Sequence, residues 1–261
     1  MYGKVRRVIT TGADLKMSLN YTHLPRWLEN NPIFKTLFLL RKLYLTKTRF
    51  THYSQFAEDV SVERMFPKGF KGFFVDVGCF HPKKYNNTWR LYKKGWRGIN
   101  IDIDAIKIQG FNLVRPKDTN IQSAVSNTDG EIAYWSRGFY SLTTSLSDSF
   151  AADKEKYIQK TVQCSRLTEI IDRTGYKDKK IDFLSVDAEE HDLAVLESLD
   201  FERYDPALIA VETHCALLSE VEETDLYRFL IEKGYCMVGW CGLTLLMVNQ
   251  AYQRALKEPR R

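Results

Sequence analysis

Short strand-like stretches rich in apolar residues recur along most of the chain. Phe73–Val77, Gly98–Ile103, Asn120–Val125, Ile181–Val186 and Ala207–Val211 are five of these. Helical stretches separate them. Thr88–Lys94 reads as a helix stopped by Gly95, and Asp104 as the N-cap of the next. Asp192–Leu199 and the strongly periodic Glu220–Lys233, ended by Gly234, are two more. Tyr235–Trp240 and Thr244–Val248 flank Cys241-Gly242 as an antiparallel hairpin. Upstream, Ser54 is placed to cap a helix reaching about Phe66, with Glu58 and Asp59 in its first turn and Pro67 and Gly69 ending it. Strands alternating with helices predict an α/β fold, with a mostly parallel sheet, helices on both faces and an antiparallel C-terminal hairpin.

The alternation is interrupted at residues 126–180. This insertion holds a short strand at Ile132–Trp135, a Ser/Thr-rich stretch at Ser141–Ser149 and a helix near Arg166–Thr174. A long insertion above a sheet is expected to be a lid or substrate loop. Its aromatics Tyr134, Trp135, Phe139 and Tyr140 either stack on a sugar ring or pack in the core. Trp89, Tyr92 and Trp96 read as core.

Charge divides the chain differently. The net charge of +5 over 261 residues is mild, but residues 1–50 carry +8 and the remainder −3. A basic arm therefore precedes a mildly acidic body, with a smaller basic tail at 253–261. The domain expectation is a basic helical extension over 1–50, a catalytic domain over 51–252 and that tail. From Ile33 the arm suits a helix, either packed on the domain or resting on an anionic membrane as an amphipathic surface helix. The run Ile33–Leu45 is too short and too charged to span a bilayer. Five scattered cysteines without metal-like spacing suit reduced thiols and a cytoplasmic location, with peripheral membrane contact through the arm. A net-acidic body without interleaved basic and aromatic clusters disfavours a nucleic-acid partner.

Candidate chemistry begins at the first strand. Asp76-Val77-Gly78-Cys79-Phe80-His81-Pro82 has Gly78 but lacks the GxGxxG that a dinucleotide needs. A nicotinamide oxidoreductase is therefore disfavoured. S-adenosylmethionine, which has no phosphate, fits more easily. Asp76 can orient its amino end, Gly78 allows close approach, and Asp102 after the second strand can accept the ribose hydroxyls.

The ordered blocks resemble the FkbM family of S-adenosylmethionine-dependent methyltransferases. Ser54-Gln55-Phe56-Ala57-Glu58-Asp59 is similar to the family's opening. Phe74–Gly78, His81-Pro82, Asn86-Asn87-Thr88, Gly95–Ile99, Ala124-Val125-Ser126, Asp182–Glu189 and Pro206–Glu212 follow in order. The resemblance covers about residues 54–249. It implies a Rossmann-like class I methyltransferase fold and usually O-methylation of a sugar, glycan precursor or other natural product. It also adds Gln55, Asn87, Thr88 and Ala124 to Asp76, Gly78 and Asp102 as cofactor-binding residues. Glu190 stands where the family usually has Gly.

A sugar hydroxyl is a weak nucleophile near neutral pH, so a base or metal is expected beside the acceptor. Asp187-Ala188-Glu189-Glu190-His191-Asp192 follows the fourth strand at the ligand edge. His191 or Glu189 is expected as the general base and Asp187 as the group positioning acceptor or base. Glu190 and Asp192 read as helix-start acids. Glu212 and His214 could extend the site, and with Asp187 and Glu189 could ligate Mg²⁺, though no dedicated spacing favours a metal. The alternative to an enzyme is a non-catalytic binding module that keeps the fold.

Overall fold

A computed structural model describes residues 27, 30–45, 51–136, 144–145, 157–189 and 191–257. Most of the basic arm, most of the Ser/Thr-rich stretch, Phe139, Tyr140, Glu190 and residues 258–261 lie outside this set. The chain divides into two units, Met1–Thr51 and His52–Arg261. In the first, helix α1 (Pro32–Tyr44) starts where Asn31 accepts hydrogen bonds from the Ile33 and Phe34 N–H groups, and Pro32 occupies its first turn. Among the described residues no helix is long and apolar enough to cross a membrane.

In the second unit a seven-stranded sheet is built from β1 (Phe73–Val77), β2 (Arg97–Asp102), β3 (Thr119–Gln122), β8 (Phe183–Val186), β9 (Leu208–Glu212), β10 (Tyr235–Cys241) and β11 (Thr244–Asn249). Their spatial order is β10-β11-β9-β8-β1-β2-β3. The β1, β2, β3, β8 and β9 pairings are parallel, and β11 is antiparallel to both neighbours. This is the expected Rossmann-like architecture, a mostly parallel sheet with its antiparallel terminal hairpin. Burial on both faces accounts for the apolar residues of β1, β8 and β9, whereas β3 is only half-buried. Phe73, Val75 and Val77 enter one core and Phe74 the other, and Leu208 and Ala210 oppose Ile209 and Val211 in the same way. Trp96 is buried and donates from its indole to the Phe70 carbonyl at 2.9 Å.

The insertion differs from expectation. The predicted strand Asn120–Val125 breaks at Ser123, and β4 (Ala124–Val125) leaves for a second, four-stranded sheet. The partners there are β5 (Gly130–Ser136), β6 (Thr144–Ser145) and β7 (Ile158–Ser165). Ser123 joins the sheets: its N–H donates to the Asp102 carbonyl, and its hydroxyl to the Ala124 and Gln163 carbonyls. Tyr134 is core here, packed with Ala124, Val162 and Cys164.

Two helices are also corrected. Ser54 does not cap the first helix of the body, which runs over Glu58–Arg64 behind a left-handed Ala57. Ser54 and Asp59 instead exchange hydrogen bonds, Oγ to Oδ1 at 2.9 Å and N–H to Oγ at 3.1 Å. The helix expected over Glu220–Lys233 is two, Leu218–Glu223 and Asp225–Glu232. Thr224 breaks the first and caps the second by accepting from the Tyr227 N–H.

Candidate active site

The strand order reverses between β1 and β8, and a cleft opens beyond the C-terminal ends there, where open α/β sheets bind ligands. Its volume is ≈ 260 Å³, near the lower end of the roughly 300–1,000 Å³ of small-molecule sites. Of the residues expected from the sequence, Gln55, Gly78, Asp102, Ala124, Asp187, Glu189 and His191 line it. Asp76, Asn87 and Thr88 do not. Phe80, Tyr85, Lys107 and Glu212 also contribute to the lining.

The turn after β1 is tied on both sides. The Gly78 and Cys79 N–H groups donate to the Ile101 carbonyl at 2.9 and 3.1 Å, and the Asp187 N–H donates to the Val77 carbonyl at 3.0 Å. Gly78 has φ +74, and a Cβ there would lie 1.7 Å from the Asp187 carbonyl oxygen. Only glycine permits this approach.

Asp76 and Thr88 lie beneath the cleft, both buried. Asp76 Oδ2 accepts from the Thr88 hydroxyl at 2.7 Å and the Asn86 amide at 3.2 Å. Arg115, wholly buried, donates to Thr88 Oγ1, Asn86 Oδ1 and Asp118 Oδ2. Burial raises the Asp76 pKa, and the Arg115 charge and these hydrogen bonds oppose the rise. Asn87 donates instead to the Ser185 hydroxyl at 3.2 Å. The Asn86–Thr88 segment is thus scaffolding that sets the loop above it.

At one end of the cleft Asp102 accepts from the Phe80 and Asp104 N–H groups at 3.1 and 2.9 Å, with Lys107 Nζ 3.4 Å away. Burial raises its pKa, and Lys107 and the backbone donors oppose that. Asp104 caps the following helix by accepting from the Ile106 N–H, as expected.

At the other end, β8 and β9 pair with Val186 opposite Val211, so Asp187 and Glu212 emerge side by side. The surroundings of the cleft and the adjacent Glu212 carboxylate push Asp187 up to about 8. Its accessible surface faces the cleft, so its acidic neighbours matter alongside desolvation. Glu212 is also raised, by burial first, while the hydrogen bond from Asp187 opposes this. Asp187 is accordingly the partner that keeps a proton near neutral pH. Glu212 Oε2 is buried and receives no bond from a conventional donor, and His214 Nε2 stands 3.8 Å from it. Glu189 is presented by a left-handed backbone (φ 51), and His191 sits exposed at the start of the next helix. Among the described residues no three His, Cys, Asp or Glu side chains converge as a metal site.

The Ser54–Asp59 segment is held by its two acids. Glu58 accepts from the Phe56 N–H at 2.7 Å and from the Thr244 hydroxyl at 3.3 Å, and Asp59 from the Tyr53 N–H at 2.9 Å. These buried acids pin the segment to the hairpin and carry Gln55 to the cleft.

The methyltransferase FkbM domain matches residues 76–237, more than half of the chain. The chain belongs to the FkbM methyltransferase family. Its cofactor is therefore S-adenosylmethionine, and the cleft of this methyltransferase suits that molecule. Asp102 offers an acceptor for hydroxyls at one end, Gly78 leaves the centre open, and the Glu212 carboxylate offers negative charge at the other. A TehB-like SAM-dependent methyltransferase from Corynebacterium glutamicum is similar over 84% of this chain and 97% of its own, at 13% identity and a TM-score of 0.39. No curated protein matches the chain.

Proposed function

We propose that this methyltransferase methylates a hydroxyl of a sugar, glycan precursor or related natural product. The observation that carries the reading is the carboxyl pair Asp187–Glu212 at the end of the cleft opposite Asp102. S-adenosylmethionine supplies an electrophilic methyl group. Asp102, Gly78, Ala124 and Gln55 would hold it, with Asp102 accepting from the ribose hydroxyls. Asp76, Asn87 and Thr88 act from below, by setting the loop. Asp187, whose proton is directed to Glu212, positions the acceptor through its other carboxyl oxygen, which accepts from a hydroxyl of the sugar. Glu189 or His191 would take the proton of the acceptor hydroxyl as that oxygen is methylated.

Calorimetric titration with S-adenosylmethionine and with NADH tests the cofactor, and mass spectrometry of acceptors after incubation tests the chemistry. Binding of the first and not the second, with an added methyl ether on a sugar, is expected. Methylation confined to nitrogen, carbon or carboxylate acceptors would refute the hydroxyl reading. A folded protein that binds the donor but transfers nothing to any acceptor would favour the binding-module alternative.

A further inference from the structure

The loop between β1 and the next helix carries two bulky residues in the left-handed region, Phe80 (φ 51) and Tyr85 (φ 52). That conformation is costly for side chains of this size and persists where surrounding structure imposes it. Here the cause is visible. The Asn86 amide donates both to the Cys79 carbonyl and to Asp76 Oδ2, at 3.2 Å each, closing the loop over a buried network. The strain delivers both rings to the lining of the cleft, with centroids 6.5 Å apart and planes 26° from parallel. Tyr85 remains 52% exposed, so burial does not explain its presentation.

The same loop concentrates positive charge beside that ring. His81 Nδ1 accepts from the Lys83 and Lys84 N–H groups at 3.0 Å each, ordering a turn that holds two consecutive exposed lysines. Lys84 Nζ lies 4.4 Å from the Tyr85 ring centroid. Burial and the charges of Lys84 and Lys83 lower the His81 pKa, which keeps the ring neutral and able to accept. The opposite wall, with Asp187, Glu189 and Glu212, is acidic.

We infer that this loop is the acceptor-recognition subsite, in which Tyr85, backed by Phe80, stacks on a pyranose ring and Lys83 and Lys84 bind an anionic substituent of that sugar, a reading that rests on the methyl-transfer function above. An aromatic face suits the apolar C–H face of a sugar, and a pair of ammonium groups suits a phosphate ester or a carboxylate. The acidic wall repels that anion, so the sugar is oriented with its charged substituent toward the lysines and its hydroxyls toward Asp187 and Glu189.

The test uses the full chain saturated with S-adenosylhomocysteine. Hexose 1-phosphates (glucose, galactose and mannose), glucuronate, glucose and inorganic phosphate are titrated by ligand-observed NMR and calorimetry. At least one hexose 1-phosphate or glucuronate is expected to bind about tenfold more tightly than glucose, and which of them wins identifies the anion. Lys83→Gln/Lys84→Gln is expected to erase that preference and leave glucose binding unchanged. Tyr85→Gly is expected to weaken sugar binding about fivefold while leaving the thermal midpoint equal or higher, because glycine relieves the left-handed strain. A purely structural tyrosine would give a lower midpoint instead. The proposal is overturned if no anionic sugar binds, if inorganic phosphate binds as tightly as the hexose phosphates, or if Tyr85→Gly weakens S-adenosylhomocysteine and spares the sugar. Failure of S-adenosylhomocysteine itself to bind would sink the methyl-transfer reading, a separate and distinguishable result.

Discussion

Replacing Arg115 by Met probes the scaffold beneath the cleft. Arg115 is fully buried, with Nε 2.9 Å from Asp118 Oδ2 and Nη1 3.0 and 3.2 Å from Thr88 Oγ1 and Asn86 Oδ1. Its guanidinium also lies within 5.0–5.2 Å of the Phe74, Tyr92 and Phe111 ring centroids. Met keeps apolar volume among those rings but strands the Asp118 carboxylate, whose remaining donors are the Gly98 N–H at 3.2 Å and the Asn100 amide at 3.3 Å. Removing one partner of a buried ion pair costs about 3–5 kcal/mol, a large share of the ~5–15 kcal/mol typical of folded proteins. At roughly 2–4 °C per kcal/mol for a body of this size, the thermal midpoint should fall by about 6–20 °C. Burial raises the pKa of both Asp118 and Asp76, and Arg115 opposes the rise, so its loss raises both further. A raised folded pKa gives stability that is complete below the unfolded value and is lost as pH rises through the folded one. The deficit of the variant should therefore be greatest at neutral pH and shrink toward pH ~4. Urea and thermal unfolding across that range measure it. Arg115→Met/Asp118→Asn, which leaves no stranded carboxylate at that position, should recover much of the loss. A single-variant deficit below about 1 kcal/mol, or no recovery in the double variant, would refute this account of the network.

Three further outcomes follow from the cleft. Asp102→Asn should weaken S-adenosylmethionine binding about tenfold by calorimetry, the scale of a lost charged hydrogen bond, and an unchanged Kd would remove Asp102 from the ribose role. Asp187, at about 8 when folded against about 3.9 unfolded, contributes stability that is lost as pH rises through 8. The midpoint of the wild-type protein should therefore decline between pH ~5 and ~8.5 relative to Asp187→Asn, whose amide cannot ionise, and parallel curves would show that Asp187 titrates normally. Gly78→Ala, which places a Cβ 1.7 Å from the Asp187 carbonyl oxygen at φ +74, should cost about 2 kcal/mol or more and abolish donor binding; full retention of both would mean that the strands part easily there.

Much of the framework was legible because burial on both faces writes itself into local composition. The strands at Phe73–Val77, Ile181–Val186 and Ala207–Val211, the hairpin around Cys241-Gly242 and the cap at Asp104 need no knowledge of distant residues, whereas the break of Asn120–Val125 at Ser123 does. Strand β7 leaves little trace in the sequence because one face is solvated: Gln159, Thr161 and Gln163 are exposed, and the alternating Val162 and Cys164 are its only signal. Thr224 is compatible with a helix interior, so its use as a cap was equally silent.

The site divides along the same line. By itself the sequence determined that Gly78, Asp102 and Asp187 stand at or beside the ends of strand-like runs and Glu189 just beyond one. Tertiary structure decided what those positions face. It placed Asp76 and Thr88 under the cleft, because a fully buried Arg115 some thirty residues downstream claims that corner. It set Glu212 against Asp187, because parallel pairing of β8 with β9 brings their ends together. It also bent the chain at Phe80 and Tyr85 toward the ligand, since a loop closed through Asn86 leaves them no right-handed path. Periodicity reports how deeply a residue is buried, but it carries no record of which distant residue lies opposite, and charge pairing and loop closure are set by that neighbour.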